Sequence, residues 1–112
     1  TIREVYDDAR ARFPGAPDVL LFNEVGELTE TTIGNLVIEL DGALVTPPVR
    51  CGLLPGTFRA ELLTAGTIVE RVVSKADLDR AAAVWMVNSV RGWVPIVPVT
   101  DPATPLVAAG RR

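Results

Sequence analysis

Apolar positions change period several times along this chain, and each change marks an element. Ile2, Val5, Tyr6, Ala9 and Phe13 recur at helical spacing, which predicts an amphipathic helix over 2–13 stopped by Pro14 and Gly15. Asp18 to Asn23 reads as a short apolar strand, and Glu24 to Glu27 as a turn. A second strand covers 34–40, and Asp41-Gly42 is a hairpin signal leading into Ala43–Thr46. Pro47-Pro48 ends that strand, because proline cannot donate to a ladder. Leu53–Gly56 is a loop that opens a helix to about Ala65. Phe58, Leu62 and Ala65 share one face of that helix, and Gly66 is its terminator. The β-branched run Thr67–Val73 predicts a strand. Ser74 and Asp77 have the spacing of a capping box that opens a short helix. Residues 83–88 read as a buried strand and Trp93–Val99 as another, which Pro95 and Pro98 assign to an edge. Asp101–Pro105 reads as a linker or frayed tail. The sum is one α/β domain with mixed strands, short helices and no internal repeat.

Composition narrows the chemistry. The chain has 112 residues, too few for two domains, and 48% of them are hydrophobic. With a mean hydropathy of +0.30, it is apolar for its size, as expected of a domain with a face that packs against something else. No apolar run is long enough to span a membrane, and no signal peptide is visible. The eleven Lys and Arg are scattered and the net charge is −3, so no basic stripe for nucleic acid exists. Histidine is absent and there is a single cysteine, Cys51, which leaves no Ser-His-Asp or Cys-His machinery, no structural zinc site and no internal disulfide. This suits a reducing, cytoplasmic compartment. Cys51 reads as a small packed residue. The single lysine is Lys75.

Three polar clusters flank apolar segments. Thr29-Glu30-Thr31-Thr32, followed by Asn35, sets a carboxylate among hydroxyls, a group suited to a cationic heteroaromatic nitrogen, although spacing alone favours a solvated turn glutamate. Leu54-Pro55-Gly56-Thr57-Phe58-Arg59 brings Pro-Gly to a helix start, where unpaired amides can hold an anion and Thr57 adds a hydroxyl. Asn88-Ser89-Val90-Arg91-Gly92 follows a strand, where small polar residues suit phosphate or carboxylate. Taken singly, each reads more simply as an ordinary turn or cap. Together they supply what a phosphorylated pyridine cofactor needs.

The order and spacing of these residues resemble fold-class IV pyridoxal-phosphate-dependent enzymes. The resemblance rests on Asn23-Glu24-x-Gly26-x-x-Thr29-Glu30-x-x-x-Gly34-Asn35-Leu36, on Leu44-x-Thr46-Pro47-Pro48, and on Gly52-Leu53-Leu54-Pro55-Gly56-x-x-Arg59. Glu70 with Val72, Asp77-Leu78 and Val87-Asn88-Ser89-x-Arg91-Gly92 extend it over roughly residues 3–97. It implies the C-terminal (large) domain of the D-amino acid aminotransferase-like fold over residues 1–100, with a tail at 101–112. Within the family, the wording is most similar to aminodeoxychorismate lyase domains fused to p-aminobenzoate synthase component I, which form p-aminobenzoate and pyruvate for folate synthesis. Branched-chain or D-amino acid aminotransferase is the alternative within the family. A non-catalytic interaction domain of the same fold is the alternative outside catalysis.

Residue by residue, the resemblance implies that Glu30 faces the pyridine nitrogen of pyridoxal 5′-phosphate. Thr57, Phe58 and Ser89 would hold the phosphate, and Thr32, Asn88 and Arg91 would face the substrate. Asn35 reads as structural, and no metal is implied. The resemblance also implies that the Schiff-base lysine falls just before Thr1, with an N-terminal domain ahead of it, and that Lys75 cannot replace that lysine. The expectation is therefore a fragment, inactive alone, whose parent acts on a small-molecule substrate as a homodimer.

Overall fold

The computed structural model describes residues 20–101 and 104–111, with side chains described from Leu20 to Ile96. The helix expected over 2–13 and the first residues of the strand expected from Asp18 lie outside the described residues. Among the described residues, eight strands form one mixed sheet: β1 (Leu20–Phe22), β2 (Leu28–Thr31), β3 (Asn35–Leu40), β4 (Ala43–Thr46), β5 (Val69–Glu70), β6 (Ala83–Asn88), β7 (Gly92–Asp101) and β8 (Thr104–Arg111). Among the described residues there are also two helices, α1 (Thr57–Thr64) and α2 (Lys75–Arg80), and a 3₁₀ turn at Val49–Cys51. The main path is β1-β2-β3-β6-β7-β8, all antiparallel. β4 pairs with β3 and, in parallel, with the two-residue β5.

Strand β3 organises the sheet. Leu36, Val37, Ile38 and Leu40 are all buried, so both of its faces are covered. One edge pairs with β6 from Asn35↔Val87 to Glu39↔Ala83. The other is shared between β2, at Glu30↔Asn35, and β4, at Ile38↔Val45 through Leu40↔Ala43. Side chains alternate between faces with period two. Leu36, Ile38, Leu40, Val84 and Met86 therefore join Leu20, Leu28, Val73 and Leu78 in one apolar cluster on the α2 side. Val37 and Val87 join Leu62 and Ile68 on the α1 side, with Phe58, Trp85 and Trp93 packed around them.

Local chemistry accounts for the ends of the elements. Asp41 and Gly42 both have positive φ, 51° and 81°, as a two-residue hairpin of right-handed strand twist requires. Gly66, at φ 77°, follows α1 as its left-handed terminator. Ser74 and Asp77 form a complete capping box: Ser74 Oγ accepts from the Asp77 amide and the Asp77 carboxylate accepts from the Ser74 amide.

Four expectations are corrected. Residues 28–31, where spacing alone favoured a solvated turn at Glu30, form strand β2, buried along its whole length. The strand expected over 67–73 contracts to Val69–Glu70, because only two rungs face β4. The rest of the run is irregular, with Ile68 and Val73 buried as plugs. Strand β7 is not at an edge: β6 pairs with it on one side and β8 on the other, and a register shift at Val97/Pro98 absorbs one of its prolines. The expected tail is strand β8 over Thr104–Arg111, antiparallel to β7.

Candidate functional site

A row of cross-strand partners, Glu30 on β2, Asn35 on β3 and Val87 on β6, crosses the α1 face of the sheet. Direct partners share a face. A cavity of about 300 Å³ lies over this row. Its walls come from all three polar clusters: Glu30 to Asn35, Leu54 with Gly56 to Arg59, and Val87 to Ser89.

Glu30 is 3% exposed, not a solvated turn residue. Its two carboxylate oxygens accept from the Leu54 amide at 3.1 and 3.3 Å. The amide of Asn35 grips the same stretch of backbone: Nδ2 donates to the Leu54 carbonyl at 2.8 Å and Oδ1 accepts from the Gly56 amide at 3.1 Å. Two adjacent side chains of the sheet thus clamp residues 54–56 and set the angle at which α1 begins. Asn35 is structural, as the sequence indicates. Gly56 is needed for space: a Cβ there would stand 2.8 Å from Asn35 Oδ1.

No side chain caps the N-terminus of α1. The amides of Thr57 and Phe58 belong to the first turn, which has no acceptor inside a helix, and both residues line the cavity. These two donors, the positive end of the helix dipole and the Thr57 hydroxyl make one wall of the cavity a place for an anion. Ser89 brings a hydroxyl to the same cavity from the end of β6.

The tight β2–β3 turn supplies the rest. Thr31 Oγ1 accepts from the amides of Ile33 and Gly34 and donates to the Gly34 carbonyl, leaving Thr32 on the cavity wall. A Cβ on Gly34 would collide with Met86 and lie 2.7 Å from the Val87 carbonyl, so only glycine lets this turn approach β6. Asn88 lines the cavity, but its amide is engaged by backbone. Nδ2 donates to the Ile33 carbonyl at 3.1 Å, and Oδ1 accepts from the amides of Val90 and Arg91 at 3.0 and 2.7 Å. Asn88 therefore ties the 31–34 turn to the 88–92 turn. Arg91 is exposed and is not among the residues lining the cavity.

Lys75 stands elsewhere, exposed on α2 with Nζ 5.7 Å from the centre of the Phe22 ring. Cys51 is buried, with Sγ 3.5 Å from Glu27 Oε1. Burial first, and then the neighbouring Glu27, push its thiol up, so it is a packed and protonated group. Sequence reasoning assigned no site role to Arg59, which lines the cavity while 4% exposed. The available signal was an arginine in the first turn of a helix whose neighbours are apolar. Among the described residues, no three His, Cys, Asp or Glu side chains group as metal ligands, and no helix is long and apolar enough to cross a membrane.

Comparison with known proteins gives this geometry a family. Residues 3–99 match the family described as amino-transferase class IV. A Schizosaccharomyces pombe protein provisionally named an aminodeoxychorismate lyase is 38% identical over 98 residues, 81% of this chain and 42% of its own length. A crystal structure from Mesorhizobium loti, provisionally described as an amino-acid aminotransferase, shares 46% identity with a TM-score of 0.77 over 83% of this chain and 46% of that one. The 4-amino-4-deoxychorismate lyase of Pseudomonas aeruginosa shares 36% identity with a TM-score of 0.73 over 83% of this chain and 37% of that one. The chain spans less than half the length of these relatives. With this match over most of its length, the chain is a member of the class IV aminotransferase family.

Proposed function

We propose that this chain is the cofactor-binding half of a pyridoxal-phosphate-dependent 4-amino-4-deoxychorismate lyase. The family is one of pyridoxal-phosphate enzymes. One observation carries the reading: a buried carboxylate, Glu30, shares one cavity with the uncapped start of α1. A phosphorylated pyridine is an aromatic ring with a basic nitrogen and an anion at opposite sides, and these residues fit both. The bound cofactor supplies an electron sink for bond breaking next to an amino group.

Every other role falls to the chain itself. Glu30, fixed by the Leu54 amide, holds a proton at the ring nitrogen and keeps it cationic. The amides of Thr57 and Phe58, with the hydroxyls of Thr57 and Ser89, bind the phosphate. Thr32 faces the substrate from the β2–β3 turn. Asn88 contributes by fixing that turn against the 88–92 turn, and Arg91 offers a cation from the exposed end of the same loop. The lyase reading draws on the names of the yeast and Pseudomonas relatives. An amino-acid aminotransferase is the second reading, favoured by the 46% identity to the Mesorhizobium protein. We place the enzyme in the cytoplasm, as a homodimer.

Titration of this chain with pyridoxal phosphate, followed by absorbance, tests the site. Saturable binding is expected in the native chain and its loss in Glu30→Ala. A cofactor adduct mapped to Lys75 would overturn the assignment. The parent protein, given 4-amino-4-deoxychorismate, should release p-aminobenzoate and pyruvate. A keto acid formed from an amino acid donor instead would select the aminotransferase.

A further inference from the structure

Arg59 is the one buried guanidinium among the described side chains, and its position is unusual. It stands in the first turn of α1 and lines the cavity. Nη2 donates to the Pro47 carbonyl at 3.1 Å and to Glu70 Oε2 at 2.6 Å, which ties α1 to the end of β4 and to β5. Nε is buried and has no hydrogen-bond partner. Burying a guanidinium with an unpaired donor is costly, and an apolar side chain of similar volume would fill the same space at less cost. The two partners also differ in surroundings. Arg59 is 4% exposed and Glu70 is 48% exposed. Water screens the carboxylate, while the cation acts from a low-dielectric position against the cavity wall.

We propose that Arg59 is a positioning residue of the anion subsite: it holds the first turn of α1 on β4 and β5, and its under-balanced positive charge makes the cavity select phosphorylated over unphosphorylated ligands. The proposal rests on the cofactor reading above and adds a residue that acts through the Thr57–Phe58 turn. Glu70 tunes it from the solvent side by partly cancelling the charge.

Calorimetric titration with pyridoxamine phosphate and with pyridoxamine, neither of which condenses with Lys75, gives the ratio of the two affinities. Arg59→Met should lower that ratio by about tenfold or more while pyridoxamine binding changes by less than about threefold. Arg59→Lys, which keeps a charge without the fork, should fall between. Glu70→Gln, which removes the balancing carboxylate, should raise the ratio. Equal weakening of both ligands in Arg59→Met would mean a purely structural role and overturn the proposal. If Arg59→Met does not fold, Glu70→Gln decides: a raised ratio supports the proposal, and an unchanged or lowered one overturns it. Inorganic phosphate separates this proposal from the reading beneath it. Phosphate affinity that depends on Arg59, with no affinity for either pyridine, sinks the cofactor reading and keeps the anion subsite. Glu30-dependent pyridine binding, with a ratio indifferent to Arg59 and Glu70, sinks this inference alone. Binding of none of the three ligands sinks both.

Discussion

The two faces of the central strands make opposite use of burial. On the α2 side, Leu36, Ile38, Leu40 and Met86 bury apolar surface against Leu28, Val73 and Leu78, and the interaction is non-directional. On the α1 side the same strands carry Glu30 and Asn35, both buried, and each is tied by directed hydrogen bonds to residues 54–56. A polar group in such a place is tolerated only with a partner. The α2 face is apolar throughout, whereas the α1 face adds directed polar contacts to its own apolar cluster of Val37, Leu62, Ile68 and Val87. Mutations should divide along that line.

The largest effect on folding is expected on the α2 side. Leu36→Ala should cost about 2–5 kcal/mol in a denaturant titration, since the side chain is fully buried in the apolar cluster. A cost below about 1 kcal/mol would break the comparison. Asn35→Ala should follow at about 2 kcal/mol, because it strands the Leu54 carbonyl and the Gly56 amide. It should also loosen the start of α1 and reduce ligand binding, which Leu36→Ala should leave intact in the folded fraction. Glu30→Gln should sharpen the contrast further. It keeps an acceptor for the Leu54 amide and should change stability by less than about 1 kcal/mol, yet remove most affinity for a pyridine cofactor.

The smallest effects should come from α2, whose cap serves neither face. Ser74→Ala should cost about 1 kcal/mol. The Asp77 carboxyl is held at about 2, below the usual 3.8, by the Ser74 amide first and Arg80 second. A carboxyl depressed in the folded state contributes stability that is complete above 3.8 and is lost as pH falls toward 2. The gap in urea midpoint between the native chain and Asp77→Asn should therefore be present at pH 5 and narrow across that window. A gap that stays constant would show that Asp77 acts only by its shape.

Much of this molecule is legible from residue order because its signals are local. The Asp41-Gly42 hairpin, the Ser74–Asp77 box, the helix start after Pro55-Gly56 and strand 83–88 each depend on neighbours within a few residues. The three polar clusters were likewise visible, and the cavity joins them. Signals that depend on distant partners were misread. Glu30 looks like a turn residue until β2 pairs with β3 at Asn35. The β-branched run 67–73 looks like a strand, but β4 offers it only two rungs. The prolines of β7 look like edge markers, yet β8 covers that side. Asn88 lines the cavity, and that its amide also joins two turns is visible only in the fold.

The sequence by itself determined the hairpin, the capped helix, the motif order and the kinds of chemistry excluded: with no histidine and one cysteine, no folding of these residues could create a Ser-His-Asp triad or a Cys- and His-ligated zinc site. Tertiary structure alone decided which polar groups share a cavity. Hydrogen-bond donors and acceptors 19 to 24 residues apart, such as Asn35 with Leu54 and Glu30 with Leu54, meet only when the sheet forms and α1 docks on it. It also decided that Arg59 is buried. Solvent exposure is a property of the assembled fold, and the cost of desolvating a charge is set by what surrounds it.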